Sequence, residues 1–401
     1  MKHATLLAVL LMSATCAGRA SATRPLCVAQ GERTLRVQVL ALLEPQRVTL
    51  RAPGRLELPG NAYLDAGDEV SVSRDGGGVV ASDARGWRWR GNEFAVDARG
   101  SRLVLVVQGR DVRSRVATGV VSITSKGGVL EVIAAMPLEQ LVASAVSAEL
   151  ADVDDSAALE ATAIALRSYL VTRTAHRGQG FDVCDSTHCA HSQGAPDPDD
   201  AHDRAAIDAC RRSEGLVLML NGEVLPGYCT ASCGGRTVTP GDVWGSRAAG
   251  YASVRCAWCR TSAYYRWTRS LKVSDVNSAT RALTGDRSQS DIDVYVAALR
   301  SGVAADVVVR SNGRETEVTG DAFRLSVGRR LGWDAIPSNK FQIERRRDFY
   351  VIRGSGYGPC IGLCLAGAVT LAREGRDARA IIATYFPGAG IAQLPVDAKN
   401  V

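Results

Sequence analysis

The sequence has few of the features that are typical of proteins that bind nucleic acids or span membranes. Only 5% of its 401 residues are aromatic, and no basic run is interleaved with aromatic side chains, which argues against nucleic-acid binding. After the N-terminal leader, no stretch is long and apolar enough to cross a membrane. Lysine is scarce, with five among 48 basic residues, and the net charge of +6 is mild. This balance suits an anionic polymer without identifying one.

The N-terminus, residues 1–22, predicts an export signal. A basic start precedes a short apolar run at residues 6–12, and the Ala-Ser-Ala at residues 20–22 offers a small-residue cleavage site. The apolar run is too short to span a membrane, so we expect an exported protein, periplasmic or extracellular. Cleavage would remove Cys16 and leave ten of eleven cysteines, and an even number in an exported protein first indicates disulfides.

The pattern of predicted elements is typical of the α+β class. Residues 23–128 contain short β-branched runs separated by Pro and Gly clusters, which predicts a β-rich N-terminal domain. This region has no carboxylate pair and no histidine cluster, so we expect it to hold or orient the rest of the chain. Residues 129–401 predict a core of helices and strands, with an insert around residues 260–347 that carries no site of its own.

Local signals divide the core further. Two Asn-Gly pairs, at residues 221–222 and 312–313, predict tight hairpins. Residues 172–215 are predicted to be rich in loops. Within the insert, residues 273–283 and 292–299 are predicted to form helices.

The clearest chemical signal is an acid on the apolar face of a helix. In the run LEQLVASAVSAEL, which begins at residue 138, apolar residues repeat at helical spacing, and Glu149 falls near the centre of their stripe. Burial disfavours a charged carboxylate and raises its pKa, as a general acid requires in order to hold its proton near neutral pH. The alternative is an ordinary helix end, where the acid reaches solvent or pairs with an arginine.

The next helix, over residues 157–171, is apolar on almost every face, and its polar exceptions include Arg167 and Tyr169. A helix of that kind is buried. A buried arginine requires a carboxylate or an anionic ligand. Two packed helices, one carrying Glu149 and the other carrying Arg167 and Tyr169, can therefore line one pocket.

Histidines and cysteines cluster after this helix. Four of them offer two thiolates and two imidazoles, a donor set for a tetrahedral zinc ion: His176, Cys184, His188 and Cys189. The alternative is a Cys184–Cys189 disulfide that closes a small loop. Further on, a CxxC at residues 256–259 lacks the βαβ surroundings of a redox pair, so a structural disulfide or a shared metal site is predicted there.

Three segments, in this order, resemble the SpoIID/LytB domain family, the group of stage II sporulation protein D. The first runs from LEQLVASAVSAEL through ALEATAIALRSYLVTR to FDVCDSTHC, the second is GYCTASCGGRTVTPGDVWG, and the third begins DFYVIRGSGYGPCIGLCLAGA and ends IIATYFPG. Together they cover residues 138–388 with gaps. The resemblance implies a peptidoglycan lytic transglycosylase that acts on glycan strands stripped of peptides.

The resemblance also implies roles for single residues. The family's catalytic glutamate corresponds to Glu149, and the arginine of its second helix corresponds to Arg167, which is expected to bind the lactyl carboxylate of the substrate or to orient the acid. Five further positions are expected to bind substrate: Tyr169, Tyr228, Ser232, Gly356 and Gly358. Some family members hold zinc near these cysteines, which adds to the expectation of a structural zinc ion at residues 176–189. No cofactor is expected for the reaction itself.

Two positions depart from the family. Pro359 stands where the family has a histidine, and Leu365 stands where it has a glutamine. These losses favour an alternative class of function, a non-catalytic glycan-binding protein that recruits or activates a wall hydrolase.

The strand, glycine loop and helix around Gly356 and Gly358 also resemble a phosphate site. Pro359 breaks the GxGxxG fingerprint, so no nucleotide is expected. We expect these glycines instead to let the backbone approach the glycan.

Overall fold

The computed structural model describes residues 33–395, except for residues 109–111, 174, 247 and 286–291. The predicted export signal at residues 1–22 lies outside this range. The N-terminal strands are β1 (Thr34–Val39), β2 (Arg47–Arg51), β3 (Leu56–Leu58), β4 (Ala62–Leu64), β5 (Glu69–Asp75), β6 (Gly78–Asp83), β7 (Arg88–Gly91), β8 (Glu93–Asp97), β9 (Leu103–Gln108), β10 (Val112–Ala117), β11 (Val120–Lys126) and β12 (Val129–Pro137).

Most of these strands belong to two antiparallel sheets. One has the order β1-β12-β11-β8, and the other has the order β10-β9-β2-β5-β6-β7. Buried and exposed residues alternate along β1, where Leu35, Val37 and Val39 face the interior. Because side chains alternate between the two faces of a strand, each sheet can turn one apolar face towards a shared core. The β-rich character predicted for this region is confirmed.

Three helices follow β12: α1 (Leu138–Glu149), α2 (Ser156–Thr172) and α3 (Ala201–Arg212). Strand β13 (Val183–Cys184) lies between α2 and α3 and pairs in parallel with β1. Helix α2 is buried along nearly its whole length, because it packs against α1 and α3 and is rich in small alanine side chains.

Helix α3 corrects the prediction that residues 172–215 are mainly loop. It begins at a capping aspartate, Asp200, whose carboxylate accepts from the backbone N–H groups of His202 and Asp203. Such an N-cap satisfies backbone donors that the first turn of a helix leaves unpaired. The apolar face that it presents to α1 and α2 includes Ile207 and Cys210.

The second half of the core begins with β14 (Leu216–Leu220) and β15 (Glu223–Val224), which form the predicted hairpin around Asn221-Gly222. Both turn residues have positive φ, at 51° and 85°, as the predicted turn requires. Strand β16 (Cys229–Thr230) and helix α4 (Pro240–Trp244) follow.

A segment with a hydrophobic core of its own comes next. Its elements are β17 (Trp267–Lys272), α5 (Val273–Thr284), β18 (Ile292–Arg300), β19 (Val303–Ser311), β20 (Arg314–Thr319), α6 (Gly320–Leu331), β21 (Phe341–Arg346) and β22 (Phe349–Gly354). Buried residues from Trp267 to Ile352 form this second core. We call residues 267–354 the insert.

One element of the insert was predicted wrongly. Residues 292–299 are not helical, because Ile292–Arg300 is a strand that pairs with β19. Ile292 and Val294 are buried on one face of that strand, while Asp293 and Tyr295 are only partly buried. A short apolar run does not distinguish a strand from a buried helix, and here the alternation decides.

The chain then returns to the core with β23 (Leu363–Cys364), α7 (Leu365–Arg373), α8 (Ala378–Tyr385) and β24 (Gly390–Gln393). Strand β23 pairs in parallel with β16, and α7 and α8 both pack on α2. The fold is α+β, as predicted. None of the helices in the described part of the chain is long and apolar enough to cross a membrane.

Candidate functional site

Glu149 is the last residue of α1, and its side chain is partly exposed. Burial raises the pKa of its carboxyl group above the usual value of 4.5. No neighbouring charge in the described part of the chain contributes to that shift. The direction is the one that the helical stripe predicts, because an apolar environment stabilises the protonated form. Glu149 is therefore an acid poised to hold its proton.

Two ionisable side chains are influenced by the Glu149 carboxylate. Burial raises the pKa of the Cys229 thiol on β16, and the charge of Glu149 raises it further. Burial also raises the pKa of the Tyr357 hydroxyl, to which Asp334 and Glu149 add smaller upward effects. We call Glu149, Cys229 and Tyr357 the acid site. It joins the end of α1 to the two segments that flank the insert.

The loop between β22 and β23, residues 355–362, packs closely on residues 230–233. The backbone N–H of Tyr357 donates to the Ser232 carbonyl at 2.7 Å, and the Thr230 hydroxyl donates to the Tyr357 carbonyl at 2.6 Å. Gly356 and Gly358 have φ of +88° and +97°, and an added Cβ would lie 2.7 Å from the Ser232 carbonyl oxygen and 2.9 Å from the Thr230 hydroxyl oxygen, respectively. Glycine is therefore required at both positions because the loop closely approaches residues 230–233 of the same chain.

Ser232 itself faces inward. It is 1% exposed, and its hydroxyl has no hydrogen-bond partner among the described residues. Pro359 and Leu365 place no hydrogen-bonding side chain at their positions, and Leu365 is buried where α7 begins. The polar side chain that this loop brings to the acid site is Tyr357.

Arg167 is buried and paired inside the protein, and its contacts include neither Glu149 nor an open surface. The side chain is fully buried, and its Nε and Nη2 donate to the two carboxylate oxygens of Glu139 at 2.7 and 2.6 Å. Its Nη1 donates to the Leu216 carbonyl at 3.0 Å. A bidentate pair of this kind fixes both side chains. The partner of Arg167 is thus Glu139 of α1 rather than Glu149, and its donors are directed into the protein.

Aromatic side chains cluster around Tyr228, which directly precedes Cys229 in the chain. Tyr228 is central, with its ring centroid 5.5 Å from that of Tyr169, 5.2 Å from that of Trp244 and 5.6 Å from that of Tyr251. Tyr169 is 9% exposed and Trp244 is 40% exposed. Trp244 therefore presents an accessible ring face, whereas the ring of Tyr169 is largely covered.

The four predicted zinc ligands come together. The ligand atoms of His176, Cys184, His188 and Cys189 all lie within 4.8 Å of one another. The separation between His176 Nε2 and His188 Nδ1 is 3.3 Å, and His188 Nδ1 lies 3.5 Å from Cys189 Sγ and 3.8 Å from Cys184 Sγ. We call these residues the histidine–cysteine cluster.

These separations fit one metal ion. Zn–N bonds of about 2.0–2.1 Å and Zn–S bonds of about 2.3 Å in a tetrahedron give N–N edges of about 3.4 Å and N–S edges of about 3.6 Å. The hydrogen bond between the two thiols lowers the pKa of Cys184 and raises that of Cys189, so the pair favours one thiolate, on Cys184. Both cysteines are free thiols in the structure.

Residues 126–220, which hold α1, α2, α3 and the histidine–cysteine cluster, match the model of the SpoIID family, described as stage II sporulation protein. The chain carries a SpoIID domain. The family recognised from the sequence motifs is confirmed over this segment. Glu149, Arg167 and Tyr169 lie inside the SpoIID domain, whereas Tyr228, Ser232 and the loop at residues 355–362 come after it in the chain.

An uncharacterised protein of Brachyspira hyodysenteriae is similar to a larger part of the chain. It is 24% identical over 236 residues, which span 58% of this chain and 61% of that protein. The likeness therefore covers less than two thirds of the relative's length, and it extends beyond the SpoIID domain.

Two residues of the site were missed by sequence reasoning. Glu139 was assigned no role, although a buried arginine 28 residues later required a carboxylate. Tyr357 lies within the third family-like segment, but its position was assigned no role. Its place within that motif was the sequence signal that could have identified Tyr357 as part of the site.

Proposed function

We propose that this protein is a lytic transglycosylase that cleaves MurNAc–GlcNAc bonds of peptidoglycan strands stripped of peptides. The observation that carries the proposal is Glu149, a partly exposed acid at the end of α1 whose pKa is raised by burial alone. Hydrolases that use two carboxylates require a second one close by. A reaction that needs one acid fits a site where no second carboxylate among the described residues perturbs the first.

The chemistry assigns Glu149 two successive tasks. Its carboxylic acid first protonates the bridging oxygen between MurNAc and GlcNAc, so that the leaving sugar departs with a neutral hydroxyl. The resulting carboxylate then takes the proton from the C6 hydroxyl of MurNAc. That hydroxyl attacks C1 and forms a 1,6-anhydro end, so that water is not consumed. Glu149 regains its proton and is ready for another cycle.

Other residues supply binding rather than proton transfer. The exposed Trp244 offers an aromatic face on which a sugar ring can stack. Tyr357 offers a hydroxyl near Glu149. Arg167 has no part in substrate binding in this proposal, because Glu139 and Leu216 occupy its donors.

The decisive experiment incubates the purified protein with peptide-free glycan strands and analyses the products by mass spectrometry. We expect 1,6-anhydro-MurNAc ends. The alternative function, a glycan-binding protein that recruits or activates a wall hydrolase, is favoured by the loss of a polar group at Pro359 and Leu365. It predicts co-sedimentation with glycan strands and no anhydro product.

The raised pKa of Glu149 has a consequence for stability that can be measured without activity. Since the folded protein binds the proton more tightly than the unfolded chain, protonated Glu149 stabilises the fold at low pH. This contribution should be lost as the pH rises above 4.5 and through the raised pKa. Urea unfolding at several pH values should therefore show wild type losing stability relative to Glu149→Gln as the pH rises.

Glu315→Gln provides the control for this pH series. Arg310 lowers the pKa of Glu315 by a hydrogen bond, so the difference between wild type and this variant should have the opposite sign of pH dependence. A pH-independent difference between wild type and Glu149→Gln would contradict a raised pKa.

We propose that the histidine–cysteine cluster holds one structural zinc ion. Four protein ligands fill a tetrahedral zinc ion completely and leave no position for water or substrate, so its contribution would be to folding. It would fasten the loop after α2 to β13, which carries Cys184.

Replacing Cys184 by serine should remove one zinc ion per chain, measured by elemental mass spectrometry on protein purified without chelators. The melting temperature should fall with it, because metal binding contributes to folding. Cys210→Ser is the matched control, since Cys210 is also buried but lies outside the cluster. Retention of all zinc by Cys184→Ser, or a Cys184–Cys189 disulfide in the native protein, would contradict this assignment.

The proposed substrate also sets location and partners. Peptidoglycan strands lie outside the cytoplasmic membrane, so the protein would act after export, in the periplasm or outside the cell. Glycan strands are the expected partner, and neither nucleic acid nor a membrane span is part of the proposal.

A further inference from the structure

A second group of cysteines lies outside the SpoIID domain. Cys233 follows β16, Cys256 and Cys259 lie between α4 and β17, and Cys364 is the last residue of β23. Their four Sγ atoms all lie within 4.8 Å of one another, and all four residues are buried. We call them the four-cysteine cluster. It gathers residues separated by more than a hundred positions into one small volume.

The spacing of these sulfurs fits a single metal ion. Cys233 Sγ and Cys259 Sγ are 3.7 Å apart. Zn–S bonds of about 2.3 Å in a tetrahedron give S–S edges of about 3.8 Å, whereas sulfurs in a disulfide are about 2.0 Å apart. Two separate disulfides would also divide the sulfurs into two pairs, but here all four are mutual neighbours. Four sulfurs in a tetrahedral arrangement are typical of zinc.

Backbone and side-chain donors surround the sulfurs. The N–H of Cys233 donates to Cys364 Sγ at 3.2 Å, and the N–H of Gly235 donates to Cys259 Sγ at 3.3 Å. The Tyr385 hydroxyl lies 3.2 Å from Cys256 Sγ. Hydrogen bonds to charged acceptors are stronger than those to neutral ones, so this arrangement stabilises thiolates. Metal ligands are commonly held by a second layer of hydrogen bonds such as these.

Lys340, a buried cation beside the four-cysteine cluster, also indicates negative charge at the sulfurs. Lys340 is 7% exposed, and its ammonium group donates to the carbonyls of Cys233, at 3.0 Å, and of Arg236. Among the described residues, no carboxylate lies within ion-pair distance of it. A buried charge is costly without an opposite charge nearby. Four thiolates around a divalent ion carry a net charge of −2, which would compensate this lysine.

We propose that Cys233, Cys256, Cys259 and Cys364 bind one zinc ion as thiolates. The four thiol protons pass to solvent as the metal binds, and no oxidant or reductant is needed. Cys259 lies shortly before the insert and Cys364 shortly after it, so the ion ties both ends of the insert to the core.

The test measures zinc content and zinc coordination on the full chain, purified without chelators. Wild type should contain two zinc ions per chain, one in each cluster. X-ray absorption at the zinc edge should then give an average of about three sulfur ligands per zinc, since one site offers four sulfurs and the other offers two. If the histidine–cysteine cluster binds no metal, the average should be four sulfurs with one zinc ion. The two zinc proposals are thus tested separately, without any substitution.

Variants then locate the ion. Cys184→Ser combined with Cys189→Ser should leave one zinc ion with about four sulfur ligands. Cys256→Ser combined with Cys259→Ser should leave one zinc ion with two, and Cys210→Ser should keep both ions. An average of two sulfurs per zinc in wild type would overturn the proposal. So would a disulfide among the four cysteines in native protein, found by mass spectrometry after blocking free thiols, or iron in place of zinc.

Discussion

Glu149→Gln should bind peptide-free glycan strands and release almost no anhydro product. The amide keeps the shape and most of the hydrogen bonding of the carboxylic acid, but it cannot give up a proton at neutral pH. Removal of a general acid typically costs on the order of 100- to 10,000-fold in rate. Because Glu149 would serve both as the acid and then as the base, we expect the loss to lie near the upper end of that range. The measurement is the initial rate of 1,6-anhydro end formation, with glycan co-sedimentation as the binding assay.

Glu160→Gln is the matched control for this experiment. Glu160 lies on α2, within the same SpoIID domain, and pairs with Arg212 of α3 instead of facing the acid site. It should cleave at a rate close to that of wild type. Equal cleavage by wild type and Glu149→Gln would end the catalytic assignment. Inactive wild type that still binds glycan would instead support the recruiting function that the Pro359 and Leu365 replacements favour.

The helical part of the site was predictable because its signals are local. The apolar stripe of α1 and the nearly uniform apolarity of α2 each lie within a short run of sequence, and helical periodicity converts such runs into buried faces. That periodicity predicted the apolar surroundings of Glu149, whereas its place as the last residue of α1 was only the alternative in the sequence analysis. The hairpin at Asn221-Gly222 was predictable for a similar reason, since few residue pairs adopt two successive positive φ angles.

The remainder depends on contacts between distant parts of the chain. Cys364 meets Cys233 only because β23 pairs with β16 across the insert, and no spacing rule links positions so far apart. The strand at Ile292–Arg300 was read as a helix because its pairing with β19, which determines its structure, cannot be seen in the run itself. The choice of Glu139 rather than Glu149 as the partner of Arg167 likewise depends on how α1 lies against α2.

Arg167→Met should destabilise the core strongly. The substitution leaves the Glu139 carboxylate, 8% exposed, without its bidentate partner, and removes the bond to the Leu216 carbonyl. Breaking a buried ion pair by removing one partner typically costs about 3–5 kcal/mol, because the remaining charge is buried without compensation. Urea unfolding followed by circular dichroism should show this loss as a lower midpoint. Adding Glu139→Leu should recover much of it, since the uncompensated charge is then gone.

Arg212→Met provides the comparison, because Arg212 pairs with Glu160 where both side chains are partly exposed. Surface pairs of that kind contribute about 0–1 kcal/mol, so its midpoint should change little. Arg167 and Arg212 each pair with a glutamate, but the first pair is buried and the second is partly exposed, so the comparison isolates the effect of burial. If Arg167→Met unfolded like wild type but bound glycan less well, the arginine would be a substrate ligand, as the family resemblance implies. The buried bidentate geometry instead makes it the tie between α1, α2 and the first strand of the second half of the core.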